Sequence, residues 1–238
     1  FGLFVSQNGG KNWSQMKGNF PTISVRDLEI QRRESDLVVG TFGRGIYILD
    51  DYSPLRTSAQ SLKNQDAKLF PIRDSWLYLE GYQYGGERKG SNGNAFYSAD
   101  NPPYGAVFSY YLKDGFKTLQ KNRREKEKEI EKEGGDTPYP SWDTLRKEDQ
   151  EEAPTVFLEV TDAKGQLVRR VEAPTKKGFQ RVAWDMHYPS SAPVKLTKPS
   201  GYVPPWAIPP KGPIALPGEY TVTLKKRQFG EVSTLSEP

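Results

Sequence analysis

The chain of 238 residues carries 34 basic and 30 acidic side chains, one histidine and no cysteine, together with 22 glycines and 19 prolines. The absence of cysteine excludes disulfides, thiol catalysis and cysteine metal sites. A net charge of +4 over so mixed a population, with no aromatic-studded basic stripe, does not mark a nucleic-acid binder. A hydrophobic content of 35% with this much Gly and Pro predicts a β-rich chain of many turns, and no apolar run is long enough to form a membrane-spanning helix.

In chain order, residues 2–13 read GLFVSQNGGKNW, a strand entering a tight turn that closes on a tryptophan. In the pattern Ser6-x-Asn8-x-Gly10-x-x-Trp13, a short amide side chain bonds turn amides, glycine allows positive φ, and the indole folds back over the hairpin. Val25–Gln31 and Leu37–Thr41 are the next strand candidates. Gly45–Asp51 then aligns with Gly2–Asn8 at an offset of 43 positions, within the span of one propeller blade, but without the Gly-Gly pair and the tryptophan. Phe1 already lies inside an apolar run, preceded by neither Met nor a signal peptide, so the sequence reads as starting within a larger protein.

Residues 57–104 read as a linker, with Lys68–Ile72 a short edge strand and an aromatic, Gly-rich loop that includes Tyr82 and Tyr84. Four half-buried strands follow over 105–226. Their apolar residues alternate: Phe108, Tyr110 and Leu112; Val156, Leu158 and Val160; Val182, Trp184 and Met186; Tyr220, Val222 and Leu224. Trp184, Tyr110 and Tyr220 are the candidate core residues, with Trp184 at the centre. Residues 113–152 form a charged helical insertion ended by Gly134-Gly135, with too few apolar residues for a buried stripe. Between Ser190 and Leu216 seven prolines stiffen a loop that carries Tyr202 and Trp206, candidate binding aromatics beside Tyr82 and Tyr84. Residues 227–238 read as a tail.

Catalytic chemistry finds no residues to carry it. His187 has no second histidine to share a metal, and Asp50-Asp51 alone falls short of the oxygens calcium requires. No G-x-S-x-G elbow is present, and Gly40-x-x-Gly43-x-Gly45 lacks the lysine and following helix of a phosphate loop. Neither a catalytic residue, a metal ligand nor a cofactor is expected.

The Ser6–Trp13 pattern and Gly40–Asp51 (GTFGRGIYILDD) resemble the closing blade of a bacterial sortilin-like Asp-box, or BNR-repeat, β-propeller, with Asn8 in the usual aspartate place. Tyr110-Tyr111-Leu112, Asp162–Gly165, Arg181–Asp185 and Pro217–Thr221 are similar to the Ig-like domain of flagellar-hook-capping type that follows such propellers. The resemblance implies an all-β chain. Residues 1–56 would be the last blade, and 105–226 an antiparallel Ig-like or fibronectin-like sandwich interrupted by the helical insertion. It further implies an exported protein of the periplasm, cell surface or extracellular space, whose partners are the N-terminal propeller of the same chain and other envelope proteins or glycans. The expected function is a non-catalytic structural or protein- or glycan-binding region. The alternative is a fragment of a glycan or peptide hydrolase with its active site on blades outside this sequence; sialidase-type chemistry would need an arginine cluster that Arg44 and Tyr47 alone do not complete.

Overall fold

The computed structural model describes residues 1–57, 61–62, 64–79, 101–193, 204 and 210–236. The chain divides into two compact units, Phe1–Lys68 and Leu69–Pro238. Its strands lie in antiparallel sheets, and among the described residues the longer helices are two, both between the strands of the second unit, as expected for an all-β chain. No helix among the described residues is long and apolar enough to cross a membrane.

In the first unit, β1 (Phe4–Val5) pairs with β2 (Ser14–Gln15), and β3 (Val25–Gln31), β4 (Asp36–Thr41) and β5 (Ile46–Leu49) form a three-stranded meander. The turn sequences impose the meander. Ser35 takes a positive φ between β3 and β4, where the Gln31 carboxamide oxygen accepts the Glu34 amide at 2.6 Å. Between β4 and β5 the Thr41 hydroxyl donates to the Gly45 carbonyl at 2.6 Å, with Gly43 and Gly45 both at positive φ. The register puts Leu28, Val39 and Tyr47 side by side on one face and Val38 and Ile48 on the other.

The second unit is built from β6 (Ala67–Leu69, which spans the boundary), β7 (Ala106–Leu112), β8 (Thr155–Asp162), β9 (Leu167–Ala173), β10 (Gly178–Trp184), β11 (Tyr220–Gln228) and β12 (Glu231–Ser236). They form two sheets, of order β10-β7-β6 and β12-β11-β8-β9. The alternating apolar positions are buried in both sheets: Phe108, Tyr110 and Leu112 in the first, and Val156, Leu158, Val160, Val222 and Leu224 in the second. The Tyr110 hydroxyl donates to the Pro174 carbonyl at 2.5 Å, and burial pushes its phenol pKa up. At the β8–β9 turn Asp162 accepts the amides of Lys164 and Gln166, and Gly165 supplies the positive φ.

Several expectations are corrected. The strand expected to run through Met186 stops at Trp184, because Met186 adopts φ 57° and breaks the alternation. Trp184 is buried, but it pairs with Ala106 at the end of the β7–β10 ladder; Tyr110 and Phe108 hold the middle. The edge strand expected over Lys68–Ile72 ends at Leu69, before Pro71. The expected tail contains β12, which pairs with β11. The insertion is a pair of helices, α1 (Leu119–Lys132) and α2 (Trp142–Gln150), started by Thr118 and Ser141 caps that accept the amides of Lys121 and Thr144. Gly134-Gly135 ends α1 as expected, the Gly135 amide returning to the Ile130 carbonyl. No residue of either helix is buried; Arg123 joins them by a two-pronged pair with Glu148 at 2.6 and 2.9 Å while also holding Glu127.

On the outward face of the four-stranded sheet, Glu159 pairs with Lys225 and with Arg170, whose Nε lies at 3.0 Å. The Lys225 hydrogen bond first, and then that of Arg170, hold the Glu159 carboxyl below the usual carboxylate range despite its partial burial. A carboxyl depressed on folding stabilises the native state above its unfolded pKa of about 4.3, and that contribution is lost as pH falls through the folded value. Urea midpoints measured from pH 6 to pH 2 are therefore expected to fall more steeply for the unmodified chain than for Glu159→Gln. Parallel curves would remove Glu159 from the acid response.

Candidate functional site

Among the described residues, three places are candidates for a site. The first is the turn at residues 6–13. The Ser6 hydroxyl donates to the Asn8 carboxamide oxygen at 3.1 Å and accepts the Gly10 amide at 2.8 Å, while the same Asn8 oxygen accepts the Asn12 amide at 2.9 Å. Gly9 and Gly10 both take positive φ, and a Cβ on Gly10 would lie 3.8 Å from the Trp13 ring. Ser6, Asn8, Gly10 and Trp13 thus form one self-contained turn, and every polar group named is spent on that turn. Asn8 does with a neutral oxygen what an aspartate would do with a charged one. At the second copy Asp51 plays a smaller part, accepting the Ser53 amide at 3.2 Å while its own amide donates to the Asp36 carboxylate.

The second place is the joint after β10. Asp185 sits 3.0 Å from the Lys211 ammonium and 3.6 Å from His187 Nδ1, and the Trp184 indole donates to the His187 carbonyl at 3.0 Å. Burial raises the Asp185 pKa, but the Lys211 hydrogen bond and the His187 amide more than offset it and leave the carboxyl low. The backbone closes the same joint: the Tyr188 amide donates to the Pro213 carbonyl at 2.9 Å and the Ala215 amide to the Met186 carbonyl at 2.7 Å. Among the described residues no hydroxyl or thiol partners His187, so this is a clamp between residues 185–188 and 211–215, not a nucleophile with its base.

The third place is a groove of about 680 Å³ at the end of the second unit. Trp184, Met186 and Tyr220 line its inner side and Trp76, Leu77 and Leu216 its mouth. The Trp184 and Tyr220 rings meet edge to face at 5.5 Å, which fixes the inner wall. Asp74, Ser75 and Glu219 add polar groups. A cleft of about 750 Å³ between α1 and α2 offers less, since its Arg123 and Glu148 already bind each other.

No family model, curated protein or solved structure matches the chain. Its functional reading therefore rests on its own geometry. Of the aromatic binding candidates, Tyr82, Tyr84, Tyr202 and Trp206 lie outside the described residues. Among the described residues no three acidic or histidine side chains converge in a way that could hold a metal ion. Trp184, Tyr110 and Tyr220 belong to the body of the second unit, and two of them also shape the groove or its wall. Sequence reasoning missed the groove because its sides come from residues 72–77, 184–186 and 215–222, far apart in the chain. A local signal was the run Trp76-Leu77-Tyr78-Leu79, four large apolar residues in succession.

Proposed function

We propose that the chain is a non-catalytic region of a large exported bacterial propeller protein. In this reading the first unit is a closing Asp-box blade and the second an Ig-like sandwich that serves as a structural or binding module. The observation that carries it is the β3–β4–β5 sheet, which has large apolar residues on both faces and leaves part of each face exposed around the buried Val39. Leu28 is 48% exposed on one face, and Ile46 and Ile48 are 67% and 61% exposed on the other. A half-buried sheet has one apolar face and one polar face; apolar residues on both suit a blade that stacks between two neighbours. The intact turn at residues 6–13 supports the same reading. For the second unit, support comes from two antiparallel sheets that each bury alternating apolar positions, with a rim made of loops.

The non-catalytic part is tested by incubating the chain with a panel of chromogenic glycosides and quenched fluorescent peptides. No turnover above the uncatalysed rate is the expected result. Hydrolysis that persists through purification to homogeneity would sink the reading, because no described nucleophile–base or paired-carboxylate arrangement accounts for it.

A further inference from the structure

The segment from Asp74 to Leu79 lies against the second unit in an unusual state. Among the described residues it belongs to no strand or helix, and its backbone forms no hydrogen bond with them. It carries four large apolar side chains in succession, of which Trp76 is 79% and Leu79 is 97% exposed. Among the described residues, only the Tyr78 ring of this run has an aromatic neighbour, Tyr104, at 5.0 Å. A row of unpaired backbone groups is a template for pairing with another extended chain, and a cluster of exposed apolar side chains is what such a chain covers.

The groove beside this segment decides the chemistry of what binds. Its inner wall is aromatic and aliphatic, through Trp184, Tyr220 and Met186. Three charged side chains line it. Arg73 has a partner of its own, whereas Asp74 and Glu219 form no ion pair among the described residues. Two unmatched carboxylates at an apolar groove favour a ligand that brings positive charge next to apolar side chains.

We propose that the groove and the Asp74–Leu79 segment receive an extended peptide in which apolar residues alternate with lysine or arginine. The peptide adds as a strand along the free backbone, directs its apolar side chains into the groove beside Trp76, and sets its basic residues against Asp74 and Glu219. Strand addition uses backbone groups that have no partner among the described residues, and the long lysine and arginine stems bring their charged heads to the carboxylates lining the groove while the apolar side chains between them fill it. This deepens the binding-module reading and rests on it.

The probes are two labelled hexapeptides, one alternating leucine with lysine and one alternating leucine with glutamate, titrated by fluorescence anisotropy against the whole 238-residue chain. The lysine peptide is expected to bind saturably and the glutamate peptide to bind at least about tenfold more weakly. Trp76→Ala, a change at an exposed position, is expected to weaken the lysine peptide by about tenfold or more. Asp74→Asn combined with Glu219→Gln is expected to weaken it and to flatten its dependence on salt. Equal affinity for the two peptides, undiminished binding by Trp76→Ala, or no binding at about 1 mM chain with an unchanged circular dichroism spectrum would each overturn the inference. The last outcome leaves the blade and sandwich standing, whereas turnover in the hydrolase panel would strike that reading and not this one.

Discussion

Tyr110→Ala is expected to lower the stability of the second unit by about 3–5 kcal/mol, the range for removing a large aromatic side chain from a packed core. Tyr110 is fully buried in the middle of β7, opposite Gln180 of β10, and is among the largest of the fully buried side chains. Its loss opens a cavity where a fully buried ring stood and leaves the Pro174 carbonyl without its 2.5 Å donor. Tyr110→Phe separates the two contributions: it keeps the ring and removes only the hydroxyl, at a cost of about 1–2 kcal/mol. Urea unfolding followed by tryptophan fluorescence gives both values. Equal losses for the two variants would mean that the hydrogen bond, and not the packing, dominates at this position.

Gly105→Ala is the second large effect. Gly105 has φ +101°, and a Cβ there would stand 2.0 Å from the Trp184 carbonyl oxygen and 3.1 Å from the Asp185 Cα. The obstacle is backbone, which cannot rotate aside as a side chain can. It lies where β7 begins and β10 ends, so the two strands would have to part at Ala106 and Trp184. The cost combines about 1–2 kcal/mol for a strained backbone with the loss of the terminal ladder pairing, and exceeds 3 kcal/mol in total. Alanine at Gly218, where a Cβ meets nothing within 4 Å and φ is not positive, serves as the control and is expected to change stability by less than about 0.5 kcal/mol. A similar midpoint for both variants, read by thermal denaturation, would mean that β7 and β10 do not approach as closely as described.

Much of this architecture was legible in the sequence, and the reason is local. Strands β7, β8 and β11 announce themselves because each has a buried side, which forces an alternation of apolar residues that survives without any knowledge of the partner strand. The turn at Ser6–Trp13 is legible for a related reason: all its bonds close within eight residues. Strand β9 was hidden by Arg169-Arg170, which interrupt the alternation between Val168 and Val171, and by the register shift between Val160 and Thr161. Strand β12 was hidden because it is an exposed edge in which Glu231, Ser233 and Thr234 leave only Val232 and Leu235 apolar. The end of β10 could not be read, because nothing in the letters AWDMH tells that Met186 will turn to positive φ. Helix α2 carries only Trp142 and Leu145 as apolar residues and takes its place from the Ser141 cap and the Arg123–Glu148 pair.

The groove was invisible because no short stretch contains it. Its sides are assembled by the clamp at Asp185, His187 and Lys211, which holds residues 213–215 against the end of β10. The same clamp gives Asp185 and His187 structural partners.

The claim on which the rest depends is that the β3–β4–β5 sheet is a blade covered on both faces in the native protein. Hydrogen exchange of residues 25–49, read by mass spectrometry, tests it most directly when the polypeptide purified from its source is set beside the 238-residue chain. The account predicts that the amides of Leu28, Val38 and Ile48 exchange about a hundredfold or more slowly in the source polypeptide, because neighbouring blades hold the sheet closed. Equal and rapid exchange in both would contradict it, and residues 1–68 would then be a small sheet unit exposing its apolar faces for another purpose.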